Sequence, residues 1–230
     1  MKFKRILLKL SGESLAGENG FGIDSEKCQK VAEIIKKCTN FGVQMGIVIG
    51  AGNFWRGRTG THISRTESDK IGILATAMNA IAFSDVLNKN GVKSCIQSAL
   101  EIKGLVPAFS VSESLRSLDE KKVVIFSCGI GAPFFSTDTA AALRAAEIEA
   151  DAILKATTVD GVYSSDPKID KNAIKYEDIS FDEILRKNLK FMDMTAISLC
   201  RDCSIPVVVF NFKDIYEIIS GEKSGTYVHN

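Results

Sequence analysis

Short, nearly continuous apolar runs alternate along the chain with longer stretches in which apolar residues recur every third or fourth position. The runs Arg5–Leu10 (RILLKL), Val43–Ile49 (VQMGIVI), Gly91–Ile96, Val123–Phe126 (VVIF), Asp151–Ala156 and Pro206–Phe210 read as strands. Between them, Glu26–Asn40 sets Val31, Ile34 and Ile35 at helical spacing and ends before Phe41-Gly42. A longer helix is predicted over Asp69–Asn90, with Ile73, Ala77, Ala80, Ile81 and Val86-Leu87 inward and Gly91 as its stop. Thr139–Ala150 (TAAALRAAEIEA) is a helix of small residues able to press close to a sheet, and Met194–Asp202 is also helical. Gly161–Tyr176, rich in Asp, Ser and Lys, reads as a surface loop. Alternating strands and helices predict an α/β fold: a three-layer α/β/α sandwich with a mainly parallel central sheet. With no composition shift to mark a boundary, residues 1–230 read as a single domain, and a C-terminal part beginning near Asp151 rests on function grounds only.

Composition adds exclusions. Charged residues are 25% and apolar residues 45%, ordinary for a soluble globular chain. The formal charge is 29 − 28 = +1, which gives no support to a nucleic-acid or membrane-surface partner. Met1–Arg5 looks like a signal n-region, but Ile6–Leu10 is too short for an h-region, and no run approaches the ~20 apolar residues of a membrane span. The six cysteines are scattered, and the close pair Cys200 and Cys203 has no second pair or histidine cluster to complete a zinc site. A reducing cytoplasm fits them best.

The candidate chemistry lies at strand ends. Arg5–Leu10 runs into Ser11-Gly12, Val43–Ile49 into Gly50-Ala51-Gly52-Asn53, and Val123–Phe126 toward Gly129-Ile130-Gly131. In a parallel α/β sheet, ligands bind outside the carboxyl ends of the strands, where glycine and helix N-termini suit phosphate. Neither the Walker-type nor the dinucleotide glycine motif is present. Instead Lys9 and Lys155 sit in apolar strands, where an ammonium needs an anionic partner and where phosphoryl transfer needs cations. Lys9 has an alternative as an edge-strand lysine facing solvent. Asp138 reads either as an N-cap, with Ser136 and Thr137 competing, or as an anion orienting the two lysines. Arg56 is either a phosphate clamp or a solvated loop arginine, and Trp55, the sole tryptophan, serves packing.

At this point the residues resemble the bacterial uridylate (UMP) kinases of the amino-acid-kinase family. The stretches that carry the resemblance run the length of the chain: Lys9–Glu13, Gly20-Phe21-Gly22, Val48–Asn53 with Arg56-Gly57, Asp69 with Gly72–Asn79, Pro133–Ala146, Leu154–Tyr163 with Asp166-Pro167, and Phe191–Ala196. The resemblance implies transfer of the γ-phosphoryl of ATP, with Mg2+, to UMP, giving UDP in pyrimidine nucleotide (CTP) biosynthesis. It implies that Lys9, Leu10, Ser11 and Gly12 cradle ATP phosphates, that Gly52 and Arg56 reach them near the transfer point, and that Thr157, Tyr163 and Asp166 line the adenosine side. On the acceptor side it assigns Ala51 to the UMP phosphate and Asp69 to the ribose. Ile130, Gly131, Ala132, Pro133, Phe134, Phe135, Ser136 and Thr137 fall to the uracil and ribose. Lys9, Asp138 and Lys155 are the implied catalytic residues, and the metal comes with the ATP rather than from protein ligands. Gly17, Glu18, Asn19, Gly20, Phe21 and Gly22 match an allosteric GTP segment, with UTP as inhibitor and a homohexamer as the assembly.

The chain departs from the family pattern at three places. The usual three-glycine turn reads Gly50-Ala51-Gly52, which requires a negative φ at Ala51. The usual Gly-Asn-Pro-Phe reads Gly131–Phe134 with Ala132 in place of the amide, and Gly57–Glu67 differs throughout. Kinases of carboxylates or carbamate on the same fold, and a nucleotide-sensing protein without catalysis, stand as rival readings. Asp69 with the PFFSTD segment opposes the first, and the joint presence of Lys9, Asp138 and Lys155 opposes the second.

Overall fold

In the computed structural model, residues 3–55, 62–222 and 224–230 are described. The strands are β1 (Arg5–Leu10), β2 (Gln44–Ile49), β3 (Ser94–Ser98), β4 (Val123–Ser127), β5 (Ala152–Thr157), β6 (Asp178–Ser180), β7 (Val207–Asn211) and β8 (Thr226–His229). The helices are α1 (Ser25–Asn40), α2 (Arg65–Lys89), α3 (Val111–Asp119), α4 (Thr137–Glu147), α5 (Phe181–Lys187), α6 (Met194–Asp202) and α7 (Ile215–Ser220). The strands form one sheet in the order β3-β4-β2-β1-β5-β7-β8-β6. Pairing is parallel except between β7 and β8.

Strand alternation divides the sheet into two apolar faces. Ile6, Leu8 and Leu10 of β1 pack with Val31 and Ile35 of α1, Phe83 and Leu87 of α2, and Ile218 of α7. Leu7 of β1 and Ile153 of β5 pack on the other side with Ala141 and Ala145 of α4, Ile197 of α6 and Ile184 of α5. Period two therefore carries Lys9 and Lys155 onto the α4 side, and the β1–β5 register makes them direct neighbours. β1 lies between β2 and β5, so Lys9 is on a central strand and the edge-strand alternative falls away.

Several boundaries differ from the sequence-based reading for local reasons. α2 begins at Arg65, where the Ser64 hydroxyl caps the Glu67 N–H, so Asp69 stands one turn inside the helix rather than at its start. The third strand starts at Ser94 because Gly91 takes φ +80 and Val92 still donates to the Leu87 carbonyl, closing the helix end. α3, α5, α7, β6 and β8 were not anticipated, being short pieces of three to nine residues. By length and composition α2 could cross a bilayer, yet Phe83 and Leu87 lie fully buried against the sheet, as in a core helix.

Candidate active site

The carboxyl ends of β1 and β5 present Lys9 and Lys155 side by side to the first turn of α4. There the Asp138 carboxylate bridges them, with Oδ1 at 2.9 Å from Lys9 Nζ and Oδ2 at 2.5 Å from Lys155 Nζ. Ser136, not Asp138, caps α4: its hydroxyl accepts from the N–H groups of Asp138 (2.9 Å) and Thr139 (3.3 Å). The cap reading of Asp138 is thereby corrected, and its side chain is left to the lysines. Burial works against the Asp138 charge, but Lys9 and Lys155 outweigh it and hold its pKa below the usual carboxylate range. Burial, reinforced by the Lys9 charge, lowers Lys155 to about 8 against the pull of Asp138. Two ammonium groups thus face one bridging carboxylate, with Asp193 adding a more distant negative charge that Lys155 feels, and the paired ammonium groups are suited to a phosphate.

Two phosphate-type turns meet beside this centre. Ser11 caps a 3-10 turn, Gly12–Leu15, and the Gly50 N–H donates to the Leu10 carbonyl (2.9 Å), so the β1 and β2 turns touch. A side chain at Gly12 would bring its Cβ to 2.5 Å from the Gly50 carbonyl oxygen and 2.3 Å from Asn53 Oδ1. Only glycine permits that approach. Ala51 is not among the described residues with positive φ, so its methyl is accommodated. Arg56 lies outside the described residues.

On one side of the centre opens a small cavity. Ala51, Asp69, Ile130, Ala132, Phe135, Ser136 and Thr137 of the predicted acceptor set line it, together with Trp55 and Thr76. Asp69 Oδ2 accepts from the Phe134 backbone N–H (2.8 Å) and from Arg65 Nε (2.8 Å). It thereby pins the loop after β4 at a residue held at φ +73, which is uncommon for a phenylalanine. The Phe134 ring itself points to an adjoining cavity shared with Arg65, Asp193 and Met194. Gly131 and Pro133 shape the loop while lining neither of these two cavities. The sequence reading gave no role to Thr76, whose hydroxyl accepts from the N–H of Cys128 (2.8 Å), another non-glycine residue at positive φ.

On the other side lies a larger cleft that gathers Thr157, Tyr163 and Asp166 with Val162, Lys168, Lys190 and Phe191. Thr157 Oγ1 donates to the Val159 carbonyl (2.5 Å), and Tyr163 donates to Asp160 (2.6 Å). Asp166 accepts from the Lys168 N–H (2.9 Å) in a local turn. The Gly17–Gly22 segment lies against the turn after β2: Gly22 N–H donates to the Asn53 carbonyl (2.8 Å), and Phe21 packs edge-on against Phe54.

Two further groups escaped the sequence reading. Asp193 caps α6 at the Ala196 N–H (3.0 Å) and accepts from Thr139 Oγ1 (3.0 Å) and from the Ser136 hydroxyl, clamping the start of α4 from outside. Its signal was an aspartate just before a predicted helix. Asn53 and Asn79, both buried, form a reciprocal amide pair below the turn after β2. Their signal was a polar residue inside an apolar helix face.

A central parallel sheet with a lysine–aspartate–lysine centre at its carboxyl edge, flanked by two clefts, is the setting of a phosphoryl-transfer enzyme. The family model described as the Amino acid kinase family matches residues 4–211, and the chain belongs to that family. Within it the likeness to UMP kinases is close over the whole length. The UMP kinase of Bacillus anthracis is 34% identical with a TM-score of 0.96, covering 100% of this chain and 97% of that one. The UMP kinase of Ureaplasma parvum is 37% identical with a TM-score of 0.93 and 100% coverage of both chains. The uridylate kinase of Archaeoglobus fulgidus is 28% identical with a TM-score of 0.74, covering 97% of this chain and 99% of that one.

Proposed function

We propose that this chain transfers the γ-phosphoryl group of MgATP to UMP, giving UDP and ADP, in pyrimidine nucleotide synthesis. The observation that carries the reading is the Asp138 bridge between Lys9 and Lys155, set between a cavity and a cleft in a chain like the UMP kinases throughout. The acceptor oxygen is already an anionic phosphate oxygen, so no general base is required. It forms a bond to the γ-phosphorus while the bond to the β–γ bridging oxygen breaks, and ADP leaves with that electron pair. Lys155 and Lys9 neutralise charge on the transferring group, and Asp138 holds both ammonium groups in place. Ser11, Gly12 and Gly52 present backbone N–H groups to the phosphates beside Lys9 and Leu10.

The acceptor part is the N-terminal one, with Ala51 at the UMP phosphate, Asp69 at the ribose hydroxyls and the loop 130–137 around the uracil. The donor part runs from about residue 151, with Thr157, Tyr163 and Asp166 along the adenosine. Mg2+ arriving with ATP would neutralise charge on the phosphates beside Lys9 and Lys155. Both Asp138 oxygens face ammonium groups, and among the described residues no His/Cys/Asp/Glu group is placed to hold a metal.

The assembly is a homo-oligomer, a hexamer. On α2 the outward residues Ile71, Leu74, Met78 and Ile81 follow helical spacing and stand 38–56% exposed, an apolar stripe suited to a second copy. GTP activation through Gly17–Gly22 and inhibition by UTP belong to the same proposal, as does a cytoplasmic location. That location is supported by the six cysteines, all of which are free thiols. A coupled ADP-release assay with UMP, CMP, acetylglutamate and aspartate tests the reading. ADP release with UMP and far less with CMP is expected. Turnover of the amino-acid substrates instead would assign the chain to the carboxylate kinases, and no turnover of any would favour a nucleotide sensor.

A further inference from the structure

Beneath the two phosphate turns lies a structure the proposed chemistry does not use directly. Asn53 Nδ2 donates to Asn79 Oδ1 (2.9 Å) and Asn79 Nδ2 donates back to Asn53 Oδ1 (2.8 Å). The second N–H of each amide is also engaged: Asn79 Nδ2 donates to the Gly50 carbonyl (2.8 Å), and Asn53 Nδ2 to the Gly22 carbonyl (2.7 Å). Asn53 is 1% exposed and Asn79 0%. Four segments therefore converge on two side chains. They are the Gly12 turn, which has no room for a Cβ above Asn53 Oδ1, the turn Gly50–Asn53, the rim residue Gly22, and the middle of α2. The same helix carries Asp69 at the acceptor cavity, ten residues and so nearly three turns before Asn79.

We infer that the Asn53–Asn79 amide pair is a positioning device for phosphoryl transfer, fixing the phosphate-binding turn Gly50–Gly52 relative to the acceptor helix α2. Resting on the UMP kinase reading, the inference adds to it the residues that set the alignment of acceptor against donor. A fully satisfied buried polar pair is rigid, because any displacement orphans several groups at once in a low-dielectric interior. The pair acts through the Gly50 carbonyl and does not itself reach a substrate. Misplacement of reacting groups by about 1 Å costs on the order of 10²-fold in rate, far more than it costs in binding.

Asn79→Ala removes both donations while leaving the acceptor cavity and the lysine centre untouched. Its kcat with UMP and ATP is expected to fall on the order of 10²-fold, while KM for UMP and for ATP each move less than about threefold. Asn53→Ala gives the same signature, and the double variant loses little beyond either single one, as members of one unit do. Rates are referred to the folded fraction measured by circular dichroism. If Asn79→Ala does not fold, Asn79→Ser, which keeps a hydroxyl at that position, carries the test with an intermediate loss of kcat. A folded variant with near wild-type kcat and only a lowered Tm would overturn the inference and make the pair purely structural. Failure of the wild-type protein to use UMP would instead overturn the functional reading, so the two failures are distinguishable.

Discussion

The cavity and the cleft on either side of the lysine centre are built differently. The cavity proposed for the acceptor is walled by α2, the start of α4 and a loop whose strained residues are each tied down: Phe134 by Asp69, and Cys128 by Thr76. The cleft proposed for the donor is walled by Thr157–Lys168 and Lys187–Phe191, mostly irregular chain stabilised by local bonds such as Tyr163 to Asp160 and Asp166 to the Lys168 N–H. The difference teaches where discrimination is to be expected. A preformed, cross-braced cavity rejects a wrong acceptor at low entropic cost, whereas a cleft of local turns spreads its grip over many weak contacts.

The centre between them bears the largest expected effects. Lys155→Ala and Lys9→Ala should each lower kcat at least ~10²-fold with circular dichroism nearly unchanged, the scale of losing one preorganised charge contact. Either variant retaining near wild-type kcat would make that lysine structural. Asp138→Asn should also lose on the order of 10²-fold in kcat. Because Ser136 is the cap, the helix start should survive the change, and thermal melting should report instead the two ammonium groups left facing each other without a carboxylate.

Asp69→Ala sharpens the comparison itself. A charged hydrogen bond contributes about 1.5–3 kcal/mol, so KM for UMP should rise roughly ten- to a hundred-fold while KM for ATP barely moves. A parallel rise in both constants would mean that Asp69 only braces its helix and loop. The donor-side counterpart, Tyr163→Phe, removes one bond to an exposed aspartate and should change KM for ATP less than about fivefold.

The pH dependence follows from Lys155, whose pKa is lowered from 10.5 to about 8. In the proposed mechanism Lys155 acts in its charged form, so kcat/KM should be full well below pH 8 and decline as pH rises through it. Stability has the opposite sign: between the folded and unfolded values the unfolded chain binds more protons, so this group's contribution to stability grows as pH rises over that window.

Much of the fold and of the centre was legible from sequence because its signals are local. Apolar runs ending in glycine marked β1, β2 and β4, and a lysine inside such a run demanded a partner, which placed Lys9 and Lys155. Asp138 was ambiguous because Ser136, Thr137 and Asp138 all suit a helix start, and only the observed cap at Ser136 separates them. What stayed hidden depends on distant pairing. Asp193 meets Ser136 and Thr139 across more than fifty residues, and Asn79 meets Asn53 across twenty-six. β6 and β8 are three and four residues long, too short to carry a period; β8 forms on the edge of β7, and β6 in turn on the edge of β8.

The most direct test of the central claim is transfer of label from γ-phosphate-labelled ATP, followed in the wild-type protein and in Lys155→Ala with UMP as acceptor. Labelled UDP is expected from the wild type, little labelled CDP when equimolar CMP replaces UMP, and a loss of at least ~10²-fold in the variant. Wild-type protein that leaves UMP unlabelled, or a Lys155→Ala variant that labels it at the wild-type rate, would contradict it.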